Sequence, residues 1–336
     1  MLQFQISNLN KHEWNNIVKI SNGDYRQFYE WGELKKKFGW EVLRLELKNN
    51  TEIISTCQLL LKKKWFFLFI YFPGSINGKQ KYLRELIDFI KNFKNKNYFK
   101  YLRIDLTIKK DDGIVQILKK NNLNRALYKR SGSTQLECDL NNPVNDILKN
   151  CDRKWRYNYN RSLKNPFNIQ VISKPNINLI YKLSRDLEKE KKLGKGHSHE
   201  EVKNIFSNLE KNIIYLQAND QKGQILGFRA ALFKETRAWD FFAVSTKLGR
   251  IYKTGYRLMI DTIKEAQKKG VKKYYFIGDD PLNMKGVFNF KKGLNGKITE
   301  YVGEIEWSNF FMLKYIFNFI IYIFYSDLIP KKFQRH

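Results

Sequence analysis

Apolar residues recur along this chain with two periods that alternate in blocks. In the first half, alternation of apolar and polar positions predicts strands at residues 2–6, 41–47, 53–61, 66–71, 101–106 and 133–140. Apolar residues three and four apart predict helices at 29–38, 80–93 and 113–120. Breakers punctuate the blocks: Gly39 stops the first helix, Phe72-Pro73-Gly74 precedes the second, and Asn141-Asn142-Pro143 closes the half. The second half repeats the order. Helices are expected at 144–164, 178–192 and 199–209, then a meander at 213–218, 225–233 and 238–244. A helix at 255–269 ends at Gly270, a strand follows at 274–278, a short helix runs to Lys292, and the last strand is 298–305.

One helix–strand unit is common to both halves. Leu86-Ile87-Asp88 lies in a lysine-rich amphipathic helix before Tyr101-Leu102-Arg103-Ile104-Asp105; Met259-Ile260-Asp261 lies in another before Tyr274-Tyr275-Phe276-Ile277-Gly278-Asp279. Shared element order makes duplication the better explanation. The expected architecture is mixed α/β, with two mostly antiparallel sheets each flanked by helices and a ligand cleft between the modules. The modules are placed at 1–143 and 144–307, followed by a hydrophobic helix and basic tail at 308–336.

Residues 310–325 are apolar apart from Lys314, Asn318 and the tyrosines, but fall short of the roughly 20 residues that span a bilayer. With Lys331, Lys332 and Arg335 just after, two arrangements fit: a helix lying in a membrane interface, or one packed on the second module.

Composition narrows the function. A hydrophobic content of 43% supplies packed cores and excludes a disordered chain. The formal charge of +29 attracts an anionic partner such as nucleic acid, a phosphorylated substrate or a membrane face, although a Lys-, Asn- and Ile-rich coding bias would also raise it. Cys57, Cys138 and Cys151 are odd in number and widely spaced, which argues against a disulfide framework. The near pair His197 and His199 reads as a polar loop entering a helix, so no metal site is expected. The N-terminus has no basic start before an apolar stretch, and the chain reads as cytoplasmic.

No Ser/His/Asp grouping, GxxxxGK[ST] or GxGxxG is present. Asp279 and Asp280 end a strand, but as neighbours they point to opposite faces and make no acid–base pair. The basic clusters are more informative. Lys35 lies one helical turn beyond Trp31 in Trp31-Gly32-Glu33-Leu34-Lys35-Lys36. Arg153-Lys154-Trp155-Arg156-Tyr157 interleaves basic and aromatic side chains, as contact with phosphate or RNA requires, while a solvated amphipathic face would look the same. Phe290-Lys291-Lys292-Gly293 reads either as a helix stop with dipole-favoured lysines or as a cation site for developing negative charge.

Three segments together resemble the FemABX peptidoglycan-bridge aminoacyltransferases. FYEWGELKKKFGWEVLRL at 28–45 is similar to their opening Trp helix followed by Lys and Gly-Trp; DRKWRYNYNRSLKNPFNIQV at 152–171 to their Lys-x-Arg-x-Asn-Ile helix; and NFKKGLNGKITEYVGEIE at 289–306 to their Phe-Lys-x-x-Phe-Gly turn and final strand. The resemblance implies two tandem GNAT-like modules and a monomer. It implies transfer of an amino acid from aminoacyl-tRNA to an amine of a lipid-linked or nucleotide-linked cell-envelope precursor, without a cofactor. Peripheral contact with the inner membrane face would suit such a precursor.

By position, Lys35 and Arg156, with Lys36 and Lys154 beside them, would hold the precursor's phosphates. Lys291, next to Phe290, would stabilise the tetrahedral oxyanion or the charge on the departing tRNA hydroxyl. Asp105, in an Arg-x-Asp strand, would orient the acceptor amine. The sequence departs from the family at Gln27-Phe28, where Gln-Ser is usual, at Pro73-Gly74-Ser75, which lacks an arginine, and at Leu294-Asn295; no coiled-coil arm interrupts the second module. The rival expectation is an acyl-CoA-dependent N-acyltransferase acting on an amino sugar or surface polysaccharide intermediate. Its pyrophosphate would sit against Gly249-Arg250 and Lys253-Thr254-Gly255.

Overall fold

The computed structural model describes residues 2–93, 98–129, 133–191, 198–277 and 285–325. The chain divides into two compact units, one formed by Met1–Ser133 with Glu300–Phe324 and the other containing Thr134–Thr299.

In the first unit, β1 (Phe4–Ile6), α1 (Lys11–Ile20) and α2 (Tyr29–Lys36) precede an antiparallel meander of β2 (Glu41–Asn49), β3 (Glu52–Lys64) and β4 (Phe67–Gly74). The short β5 (Asn77–Gly78) pairs with β3. Helix α3 (Leu83–Asn92) then crosses over to β6 (Phe99–Lys109), which runs parallel to β4. Next come α4 (Asp112–Lys120) and β7 (Asn124–Arg125). The period of two sorts this sheet into two faces. Leu45, Leu59, Ile70 and Ile104 face α3 and α4, where Leu86, Ile90 and Ile114 complete a dry core. Arg44, Gln58, Tyr101, Arg103 and Asp105 occupy the alternate positions and so line the opposite face.

The second unit begins with β8 (Thr134–Asp139), α5 (Val144–Asn150) and α6 (Arg153–Leu163). The expected single helix at 144–164 is therefore two, because Cys151 and Asp152 adopt extended backbone (ψ 153° and 147°) and start a new helix. Then follow β9 (Phe167–Ile172), α7 (Ile177–Lys191) and α8 (His199–Leu209). Ser198 and Glu201 form a reciprocal capping box at the start of α8, the helix entry expected around His199, while His197 lies outside the described residues. The meander β10 (Ile213–Asp220), β11 (Ile225–Lys234) and β12 (Arg237–Ser245) leads through α9 (Lys247–Ile251) and α10 (Thr254–Lys268) to β13 (Lys273–Phe276), parallel to β12. The meander, helical crossover and parallel strand repeat those of the first unit, as the duplicated helix–strand pattern implied. Helices α1 and α9 and strands β5, β7 and β9 are additional to the expected elements; Asn10 and Glu13 build a capping box for α1.

Helix α11 (Lys285–Lys292) leads to β14 (Lys297–Ser308) and α12 (Met312–Tyr325). Here the module limits differ from those expected at 143 and 307. β8 pairs with β13 of the second unit, whereas β14 pairs with β6 and β7 of the first. Each sheet is thus completed by a strand from the other half of the chain. Helix α12 also belongs to the first unit rather than packing on the second module: Leu313 is buried and Phe317 stacks on Tyr101 with ring centres 4.7 Å apart. No helix among the described residues is long and apolar enough to cross a membrane.

Candidate active site

In the first unit, the sheet face opposite α3 carries a buried charge array. Arg26 is the hub on the α2 side. Its Nε and Nη2 donate to the two oxygens of Asp24 at 2.9 and 3.1 Å, and its Nη1 donates to Asp105 on β6. Burial alone would raise the Asp24 carboxyl; Arg26, helped by the Thr107 hydroxyl at 3.2 Å, outweighs it and holds the group below its ordinary 3.8. Asp105 is thus held in place by the Arg26 guanidinium. A Cβ at Gly74, the end of β4, would stand 2.6 Å from Cβ of Asp24, so glycine is needed there for this approach and for its φ of 91°.

Gln27 anchors the same loop. Its side chain is fully buried and exchanges two hydrogen bonds with the backbone of Gln58, at 3.1 and 2.7 Å. Beside it, the Tyr25 ring meets Trp31 edge-on at 5.2 Å, and the Lys35 ammonium lies 4.9 Å from the Trp31 ring centre and 5.6 Å from that of Phe38. Cation–π contact of this kind positions Lys35, as its one-turn spacing from Trp31 implied. Lys36 instead is exposed and pairs with Glu33 at 2.9 Å.

Further along this face, Arg103 donates to Glu304 of β14 and to the Tyr128 carbonyl, while the Tyr101 hydroxyl donates to Glu306 at 2.6 Å. Asn318 of α12 donates to Glu306 at 2.6 Å and accepts from the Tyr128 amide at 2.9 Å.

The second unit holds another cluster, on the face of its sheet that α10 covers. Lys291, in the last turn of α11, is only 4% exposed. Its ammonium donates to the Ile277 carbonyl, lies 3.7 Å from Asp240 of β12, and stands 5.8 Å from the Phe276 ring centre. Asp240 also accepts from Arg229 of β11 at 2.6 Å and from the Tyr274 hydroxyl at 3.3 Å. Burial, then the Asp240 charge, pushes the Tyr274 phenol well above its ordinary range, so it stays a donor. The reading of Lys291 as a solvated helix-end lysine is thereby overturned.

Trp155 of α6 holds this cluster in place. Its indole N–H donates to the Phe290 carbonyl at 2.9 Å, and its ring meets Phe290 and Tyr256 at 5.9 and 5.1 Å. The Asp152 amide donates to the Gly293 carbonyl at 2.8 Å. Past the helix stop read at Gly293, the residue in the left-handed conformation is Asn295 (φ 57°). Glycine at 293 is required by packing instead, since a Cβ would stand 2.7 Å from Trp155.

Arg156 and Lys154 are exposed on α6; Arg156 donates to the carbonyls of Lys149 and Cys151, the latter at 2.7 Å. The structure thus gathers Phe290, Lys291 and the helix of Lys154 and Arg156 in the second unit, and Lys35, Lys36 and Asp105 in the first. Asp279 and Asp280 lie outside the described residues.

Arg26, Asp24, Arg229 and Asp240 were not singled out from sequence. Arg229 and Asp240 carried a usable signal, a lone charge within an otherwise apolar strand run. Asp24 and Arg26 lie in a turn and carried none. The expected pyrophosphate cradle is otherwise engaged: Arg250 donates to the Ser245 carbonyl at 2.6 Å and pairs with Glu190, and Gly249 backs onto the Leu226 carbonyl. Among the described residues no group of three or more His, Cys, Asp or Glu could hold a metal ion.

No curated protein matches the sequence. Among solved structures, a crystal structure of FemX shares 16% identity with a TM-score of 0.80, covering 94% of this chain and 100% of FemX. L-PGS from Bacillus licheniformis shares 12% identity with a TM-score of 0.55 over 93% of this chain and 97% of that one. A tandem GNAT protein from the clavulanic acid biosynthesis pathway shares 8% with a TM-score of 0.53 over 92% and 98%. At these identities the likenesses establish the tandem GNAT-like fold. The FemAB family model matches residues 168–320, the stretch that holds Arg229, Asp240, Phe290 and Lys291. The chain thus matches the FemAB family model over residues 168–320 and has a FemX-like fold over nearly its whole length.

Proposed function

We propose that this chain transfers an amino acid from aminoacyl-tRNA to an amine of a peptidoglycan or other cell-envelope precursor. The observation that carries this reading is the buried ammonium of Lys291, held at the end of β13 within the stretch matched to FemAB. A cation already desolvated and fixed stabilises developing negative charge far better than one that must first shed water.

The acceptor amine attacks the ester carbonyl of the donor, and the carbonyl electrons move onto oxygen as the C–N bond forms. Collapse of that tetrahedral species breaks the C–O bond and expels the ribose hydroxyl of the tRNA, while the amine gives up a proton. Lys291 stabilises the oxyanion or the departing oxygen, with Phe290 beside it. Asp105, fixed by Arg26, orients the acceptor amine. Lys35 and Arg156, aided by Lys36 and Lys154, bind phosphates of the precursor. An ester is already activated toward amines, so positioning and electrostatics carry the reaction.

Donor discrimination tests the reading: purified protein is offered charged tRNA or acyl-CoA with a panel of amine acceptors. Transfer from charged tRNA is expected; transfer from acyl-CoA and never from tRNA would overturn it. Lys291→Met is expected to lower kcat by about 10²- to 10³-fold with donor KM nearly unchanged.

A further inference from the structure

Helix α12 has two unlike faces. One is docked on the first unit through Leu313, Phe317 and Asn318. The other presents Met312, Tyr315, Ile316, Phe319 and Ile320 to solvent, spaced three and four apart, with Phe319 62% exposed. This apolar stripe does not end with the helix. Phe311, 69% exposed, touches Phe310 with ring centres 5.7 Å apart; Phe310 touches Phe99 at 5.2 Å, and Phe99 touches Phe66 at 5.7 Å. Phe66 lies at the tip of the β3–β4 hairpin beside Trp65, which is 78% exposed. An apolar surface running from a hairpin tip along a helix is much larger than the scattered exposed residues of an ordinary protein surface.

The charges around this surface select its partner. The hairpin tip is preceded by three exposed lysines, Lys62, Lys63 and Lys64, of which Lys63 pairs with Glu41. Lys314 lies on the helix, and α12 itself contains no acidic residue. The whole chain carries +29. The 14 described residues of the helix extend about 21 Å, short of a hydrocarbon core of about 30 Å, and one side of the helix is committed to the protein.

We propose that the outer face of α12 and the Trp65–Phe66 hairpin tip together form a docking surface for an anionic lipid bilayer. The helix lies parallel to the membrane plane with its outer stripe at the acyl boundary and the lysines at the headgroups. Trp65 and Tyr315 sit at the depth that amphipathic aromatics favour. The surface lies wholly in the first unit and does not depend on which donor the enzyme uses.

Co-sedimentation of the full chain with vesicles tests this. Vesicles of phosphatidylcholine with phosphatidylglycerol should bind the protein, more weakly as salt rises, and pure phosphatidylcholine vesicles should bind it much less. Phe311→Glu with Phe319→Glu should weaken binding by about tenfold or more. Circular dichroism of this variant should match the parent, since both side chains are exposed. Brominated lipids should quench a signal that Trp65→Phe abolishes. Absence of binding to anionic vesicles, or equal binding by the double variant, overturns the proposal. So does a dimer in light scattering that the double variant dissociates while the parent ignores vesicles, which would assign the surface to a second copy of the chain.

Discussion

The indole of Trp155 donates to the main-chain carbonyl of Phe290 at 2.9 Å while its ring closes against Gly293. This contact joins the helix of Lys154 and Arg156 to the turn that positions Lys291. Gly293→Ala would drive a methyl group to 2.7 Å from Cδ1 of a buried ring. We expect a loss of about 1–3 kcal/mol in urea unfolding, the usual cost of overpacking, together with a fall in turnover. An unchanged midpoint would mean that the indole yields freely.

Asp240 receives Arg229 and Tyr274 and lies beside Lys291, all buried. Asp240→Asn removes the carboxylate and leaves desolvated cations. The expected destabilisation is about 3–5 kcal/mol, measured by urea denaturation. Arg229→Met in the same background should recover part of it, because one uncompensated charge is removed. Failure of the second substitution to recover any stability would argue against charge as the cause.

Asn318 is the polar residue through which α12 meets Glu306 and the Tyr128 amide. Asn318→Leu leaves both buried groups without this partner, at an expected cost of about 1–3 kcal/mol. Hydrogen exchange should quicken selectively in α12. Uniform quickening across the first unit would place the cost elsewhere.

Acid stability should depend on Asp24. Its carboxyl is held below the ordinary 3.8 in the folded state, so on acidification the unfolded chain takes up the proton first. The stabilisation is present above about pH 4 and is lost as pH falls through the depressed folded value. Asp24→Asn should flatten this acid limb in thermal melts at successive pH values. At the alkaline end, the raised phenols of Tyr25 and Tyr274 act in the opposite sense. Above the ordinary tyrosine value of 10.0 the unfolded chain loses those protons while the folded chain keeps them, so stability falls as pH rises. Tyr274→Phe should shallow that limb.

Much of the fold was legible in the chain. Alternation in 41–47 and 53–61, the helical spacing in 80–93 and the turn at Gly39 are local properties, set by backbone period and by the conformations open to glycine. Gly39 has a φ of 72°, as its place after α2 implied. The repeated helix–strand pattern foretold the two crossovers. The one-turn spacing of Trp31 and Lys35 foretold their contact. Lys291 was legible as a candidate, but not as buried, because burial depends on what β11, β12 and β13 bring to it.

Sequence by itself determined the order of the main helices and strands, the faces of those strands and the doubling of the meander-and-crossover unit, because all of these follow from periodicity within short stretches. Tertiary structure alone decided that β8 completes the second sheet and β14 the first, that Arg26 meets Asp105, that Arg229 and Lys291 meet at Asp240, and that α12 lies on the first unit. The reason is physical. A strand's amides and carbonyls accept any neighbour of suitable register, and a buried charge accepts any partner within reach. Which neighbour is chosen depends on the burial available across the whole chain.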